Sequence, residues 1–237
     1  MNVWPRPLQK PHPPVWIPGG GSVETWRWCA ERDYVYAYLS YFGYKNGEAT
    51  MQGFWDEMKR LGKDLNPYRA GFLQFVGVAE TREEALALYR EPAEYFYGRC
   101  LHLDPRYVLA PGYASEATQR ARVRSAVADA AARSRGGAGG QATGFEAIVD
   151  EGYVIVGSPD EVAEKLRKLA VNLNVGHLML LLQFGNMNHQ LTQYNTELFA
   201  KRVLPQLADL FDDEWEDRWW PQGLPAAETA RPREVRA

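Results

Sequence analysis

Cysteine and histidine are scarce in this 237-residue chain, neither charge is in large excess, and no apolar run is long. Its two cysteines, Cys29 and Cys100, match no zinc or redox spacing. That argues against a disulfide framework and for a reducing, cytoplasmic setting. The four histidines, His12, His102, His177 and His189, show no metal-ligand spacing, so no metal is expected. Lys and Arg number 27 against 30 Asp and Glu, for a net charge of −3. No basic stripe follows a phosphate backbone, so no nucleic-acid partner is expected. The longest apolar run, residues 178–182 with their neighbours, falls well short of the roughly 20 residues a membrane span needs. No membrane partner is expected either.

Aromatic residues are abundant, with 8 Trp and 13 Tyr. The cluster Tyr34, Tyr36, Tyr38, Tyr41, Phe42 and Tyr44 can line a site for a flat ligand or pack a core. More informative is the segment Pro13-Pro14-Val15-Trp16-Ile17-Pro18-Gly19-Gly20-Gly21-Ser22-Val23-Glu24-Thr25. A short apolar run ends in three glycines, a hydroxyl and a helix-compatible stretch. Glycines let backbone approach a phosphate, and the first helical turn offers N–H groups and a favourable dipole end. Ser22 and Thr25, three apart, can both aim a hydroxyl at such an anion. The same residues also suit a plain loop and N-cap, and both readings stand.

Residues 15–17 read as a buried strand stopped by Pro18, and 23–32 as a helix. A β-prone run covers 34–39, helical spacing covers 50–61, and 71–78 read as a third strand. Thr81-Arg82-Glu83-Glu84 opens a helix as a capping box. Regularity then fails. Residues 98–152 read as an insertion carrying a glycine-rich hinge at 136–140. Order returns at 153–156. Ser158 follows as an N-cap, Pro159 as first helical residue, and Asp160 and Glu161 complement the helix dipole. Residues 177–184 form the most hydrophobic run, expected to be buried on both faces of a parallel sheet. A helix is expected over about 191–207. Four strand–helix units in sequence predict an α/β fold. The tail, 208–237, is acidic and Trp-rich at first and then of disordered composition.

Four separated segments resemble the bacterial luciferase-like monooxygenase family. They are residues 4–18, Gly157-Ser158-Pro159-Asp160-Glu161-Val162, residues 175–187, and Leu198-Phe199-Ala200-Lys201-Arg202-Val203-Leu204-Pro205. The resemblance implies a TIM barrel, (β/α)8, binding reduced FMN or, in one branch, F420. The implied reaction inserts one atom of O2 into a small organic substrate, with a flavin reductase as a possible partner. It places residues 15–17 as about the fifth strand, 34–39 as the sixth, 71–78 as the seventh and 177–184 as the eighth. The domain is then 1–207, a partial barrel, and the chain is expected to be a piece of a longer protein or to self-associate. The family's acid/base residues belong to the absent units and are not carried over.

The resemblance assigns Gly20, Gly21, Ser22 and Thr25 to the flavin phosphate, and Tyr38, Leu39 and Ser40, at the end of the next strand, to the isoalloxazine ring, with core packing the alternative for Tyr38 and Leu39. Gln183, Asn186 and Met187, after the last strand, face the site mouth as substrate contacts. His189 is the one histidine placed for proton transfer, its ordinary pKa near 6.5 being suited to it. Exposed capping is the alternative for it. Two rival functions remain: a non-catalytic flavin-binding or interaction module, and an F420-dependent dehydrogenase.

Overall fold

A computed structural model describes residues 7–10, 12–100, 115, 116, 120 and 144–211. The glycine-rich run 136–140, most of the 98–152 segment and the tail from 212 onward lie outside the described residues. Five parallel strands form one sheet: β1 (Trp16–Gly19), β2 (Val35–Tyr38), β3 (Ala70–Val78), β4 (Val154–Gly157) and β5 (His177–Leu181). The α/β class with a parallel sheet is as the sequence predicts. The strand count is not, because Val154–Gly157 is a fifth strand.

Six α-helices have bounds among the described residues: α1 (Val23–Arg32), α2 (Gly43–Arg60), α3 (Arg82–Tyr95), α4 (Phe145–Asp150), α5 (Pro159–Leu173) and α6 (His189–Leu198). Their ends obey local chemistry. Thr81 accepts the Glu84 N–H at 3.2 Å to start α3, and Glu161 accepts the Ser158 N–H at 2.9 Å to start α5. Asp33 closes α1 and Asn174 closes α5, each in the left-handed conformation with φ of 52° and 51°. The helix expected over 191–207 is α6 followed by a π turn, Phe199–Val203, and a 3₁₀ turn, Leu204–Leu207.

Hydrogen-bond direction fixes which strand lies where. β2 and β5 both pair with Gly71 and Phe72, so they flank β3 on opposite edges. Successive residues of a strand bond to alternate sides. The Ala79 N–H meets Gly157 of β4, whereas the Val78 N–H and Val76 C=O meet the Asn195 side chain, which also bonds Leu182 beyond β5. β4 therefore continues the β2 edge of β3, and Asn195 substitutes for a strand beyond β5. The chain advances from β1 to β3, steps back to β4, then crosses to β5.

Right-handed crossovers turn that reversal into two covered faces. On one face, α1, α2 and α5 pack Trp26, Phe54, Trp55, Met58, Val162 and Leu166 against Tyr36, Phe72 and Val76. On the other, α3 and α4 pack Ala85, Tyr89, Phe145 and Ile148 against Leu73, Phe75 and Val154. A Cβ at Gly77 would lie 2.5 Å from the Tyr89 ring, so glycine there permits the close approach of α3.

Burial separates centre from edge. All nine residues of β3 are buried. Residues 177–184, expected to be buried on both faces, supply instead an edge strand whose five residues are all half-exposed. Its apolar composition reports strand propensity without reporting position. β1, likewise expected to be buried, is half-exposed and runs through Pro18. An edge strand tolerates the missing N–H of proline, so Pro18 does not stop it. No helix among the described residues is long and apolar enough to cross a membrane.

Candidate functional site

The carboxyl ends of the parallel strands carry the two groups of residues singled out by the sequence, and the fold keeps them apart. The first lies after β1 and β2. Gly20 and Gly21 are exposed, and a Cβ added at Gly20 would meet nothing within 4 Å. The backbone here is open to a ligand. Ser22 is the N-cap of α1 in extended conformation, yet its hydroxyl caps no backbone N–H. It donates to the Glu24 carboxylate at 2.9 Å, and the Ser115 hydroxyl reaches the other oxygen of that carboxylate. The Thr25 methyl lies 3.5 Å from where a Gly19 Cβ would be, beneath the turn.

Tyr36 supports this turn from the sheet. Its ring is stacked on Phe54 at 4.9 Å, and its hydroxyl donates to the Gly20 carbonyl. Glycine at 19 is needed for that, since a Cβ would stand 3.0 Å from the Tyr36 ring. Thr50 of α2 reaches the same place: its hydroxyl is 3.8 Å from where a Gly21 Cβ would be, and its side chain lies near the Tyr38 hydroxyl. Burial pushes the Tyr38 hydroxyl above its ordinary range. The Tyr38 ring is wedged against Phe72, with centroids 5.5 Å apart, on the face covered by α2. Ser40 is 1% exposed, and its hydroxyl has no hydrogen-bond partner among the described residues. A buried hydroxyl without a partner costs about 1–3 kcal/mol, so it is a donor awaiting an acceptor.

The second group follows β5. Gln183, Asn186 and His189 are exposed, and Met187 is buried. The Asn186 amide donates to Glu91 at 2.7 Å, tying the turn to α3. The Met187 sulfur takes the Phe184 N–H at 3.4 Å inside the apolar layer under α3 and α4. His189 is the first residue of α6, whose N-cap, Asn188, accepts the Leu191 N–H at 2.9 Å. No hydrogen bond or ring contact among the described residues joins this group to the glycine turn.

Sequence reasoning passed over Tyr36, Thr50 and Asn195 as site or bracing residues. Tyr36 was one of six aromatics in a cluster, and nothing local marks which of them lies under the turn. Gln74, a strand residue without an assigned role, is fully buried and donates to the Gly152 and Tyr153 carbonyls at 3.2 and 3.0 Å. His177 packs between Trp16 and Tyr68, with ring centroids at 4.6 and 5.3 Å, at the far end of the sheet. Of two surface cavities of about 420 and 400 Å³, one lies between α1 and α2 and is lined by Val23 and Glu24 at the start of α1 together with Arg27 and Trp28, and the other lies beside Trp55 and Asn172.

The profile of the luciferase-like monooxygenase family matches residues 1–175, a span that contains the whole glycine-turn group. No curated protein matches the chain. Among solved structures it resembles the oxygenating constituent of 3,6-diketocamphane monooxygenase from the CAM plasmid of Pseudomonas putida, a type II Baeyer-Villiger monooxygenase in complex with FMN. The TM-score is 0.56 at 22% identity, over 82% of this chain and 49% of that one. It also resembles the monooxygenase RslO1 from Streptomyces bottropensis, with TM-score 0.51 at 21% identity over 85% of this chain and 50% of that one. These likenesses are of fold, and this chain spans about half the length of either structure. On the match over three-quarters of its length, the chain belongs to the luciferase-like monooxygenase family.

Proposed function

We propose that this chain is the FMN-binding part of a flavin-dependent monooxygenase, with the flavin phosphate at the glycine turn after β1. The observation that carries this is the open turn itself: two exposed glycines ahead of an α1 N-terminus that its own N-cap side chain leaves uncapped. The donor set suits the phosphate end of FMN. First-turn N–H groups of a helix lack carbonyl partners and face the dipole's positive end. Ser22 and Thr25 add hydroxyls, once Ser22 is released from Glu24. The partnerless Ser40 hydroxyl is placed as a donor to the ribityl chain or the ring edge, and Tyr38 serves as its packed support.

Bound in reduced form, FMN supplies the electrons with which O2 is activated. The chain's own part is to hold and orient it. Backbone N–H groups fix the phosphate, and hydroxyls at the ends of β1 and β2 set the direction of the rest. Gln183 and His189, both exposed after β5, are assigned to the small organic substrate and to proton transfer, while Asn186, held by Glu91, and Met187, buried, support that turn. FMN is preferred to F420 because the like-folded oxygenating constituent of 3,6-diketocamphane monooxygenase is in complex with FMN. A flavin reductase would supply the reduced cofactor.

We also read the chain, 1–207, as the C-terminal strand–helix units of a (β/α)8 barrel, part of a longer protein or completed by self-association. Its half-exposed edge strands and the half-length match support that reading. The part of the 98–152 segment that precedes α4 is then an insertion before the last units, since α4 itself packs in the core, and 208–237 is an appended tail. A second reading, a flavin-binding module without turnover, is favoured by one observation: His189 and its neighbours make no contact with the turn group.

The test is a fluorescence titration of the purified chain with FMN beside Ser22→Ala/Thr25→Ala. Saturable binding, weakened about tenfold or more in the variant, is expected from the loss of two charge-assisted hydrogen bonds. A folded chain that binds no FMN overturns the proposal.

A further inference from the structure

One buried hydroxyl decides which way the glycine turn faces. Tyr36 is 0% exposed, and its ring is fixed by the stack on Phe54 and an edge contact with Trp26 at 6.4 Å. From that fixed ring the hydroxyl donates to the Gly20 carbonyl. A trans peptide carries its C=O and the following N–H on opposite sides. Drawing the Gly20 carbonyl down to Tyr36 therefore turns the Gly21 N–H up, away from the sheet and onto the exposed side where α1 begins. Among the described residues nothing else holds that peptide firmly. Gly20 has open space around it, and Gly21 meets only Thr50, at 3.8 Å or more. Glycine on both sides of the bond leaves it free to rotate by sterics alone.

We propose that Tyr36 is a positioning residue of the anion site, holding the Gly20–Gly21 peptide so that the Gly21 N–H points at the phosphate. The inference rests on the reading of the turn as the flavin-phosphate site and adds what orients it. Burial pushes the Tyr36 hydroxyl above the ordinary tyrosine range, so it remains a donor throughout the neutral range. Thr50 flanks the turn and, through Tyr38, links it to the end of β2.

The experiment compares FMN with riboflavin, which lacks only the phosphate, in the wild type, Tyr36→Phe and Phe54→Leu. Tyr36→Phe keeps the ring and its stacking but removes the hydroxyl. Its FMN preference over riboflavin is expected to fall about tenfold, with riboflavin affinity within about twofold of wild type. Phe54→Leu, a core lesion beside the same ring, is expected to lower stability and keep the preference. An unchanged preference in Tyr36→Phe, or equal weakening of both flavins, overturns the positioning role while leaving the phosphate reading intact. A wild type that binds FMN no better than riboflavin overturns the phosphate reading, and the role of Tyr36 with it. A second readout needs no variant: the Gly21 amide resonance is expected to shift strongly when FMN saturates the wild type. A Gly21 amide that does not move overturns the inference.

Discussion

The turn after β1 and the turn after β5 both end a parallel strand, both contain glycine and both lead into a helix, yet they are built to opposite ends. After β1 the polar side chains lie beneath the backbone. Tyr36 holds it from the sheet, Thr50 of α2 flanks it, and the outer surface stays open. After β5 the polar groups close the turn on itself: Asn188 caps α6, Met187 takes the Phe184 N–H, and Asn186 is bound to Glu91. Gly185 has φ of 58°, and its Cα faces the Pro92 carbonyl so closely that a Cβ would lie 2.0 Å from the oxygen. One glycine turn is therefore shaped for packing and the other for access. The lesson is that glycine content alone does not distinguish a packed turn from an open one, and that the atoms around the glycine do.

The largest effect that would sharpen this contrast comes from exchanging alanine for each glycine. Gly185→Ala is expected to lose about 3 kcal/mol or more, from a strained φ and a backbone clash together. Gly20→Ala is expected to stay within about 0.5 kcal/mol of wild type, because its site is open. Urea denaturation midpoints check both. Equal losses at the two positions would break the comparison.

A smaller effect concerns charge at the open turn. Glu24 holds Ser22 and places a carboxylate beside the α1 N-terminus, where it competes with an incoming phosphate. Glu24→Gln is expected to tighten FMN binding about tenfold, and more at low salt, with riboflavin unaffected. Weaker FMN binding in that variant would mean the carboxylate helps the site.

The smallest effect lies at the start of α5, remote from both turns. Burial raises the Glu161 carboxyl, but hydrogen bonds from the Ser158 N–H and hydroxyl, with Arg82 and Lys165 nearby, bring it below its ordinary 4.5. A depressed folded-state value contributes stability that is present above pH 4.5 and lost as pH falls through the lower folded value. Thermal melts of Glu161→Gln are expected to show a shallower acid decline over that window and lower stability at neutral pH. Flavin affinity is expected to be unchanged. A parallel acid decline in the variant would remove Glu161 from the account.

Much of the fold was legible because it is local. The helix at 23–32 matches α1 to the residue, and Ser158-Pro159 marks the start of α5, since caps and first-turn residues act within four positions of themselves. The match stopped where neighbours in space decide. Pro18 ends a buried strand but not an edge strand, and the apolar run at 177–184 reads identically whether it is central or marginal. The glycine turn was visible as a candidate. Tyr36 was not, because its hydroxyl meets Gly20 sixteen residues away only once β1 and β2 are paired in register, Ile17 opposite Tyr36.

The sequence by itself therefore determined the class of the fold and the starts of α1, α3 and α5, set by short-range preference and hydrophobic period. Its motifs carried the resemblance to the family, whereas α2 begins at Gly43, seven residues before the helical spacing from 50 predicts. Tertiary structure alone decided the step back from β3 to β4, the edge position of β5, and the direction in which the glycine turn presents its N–H. Each of these depends on which backbone edge and which face are already taken, and a linear pattern of side chains carries no record of that.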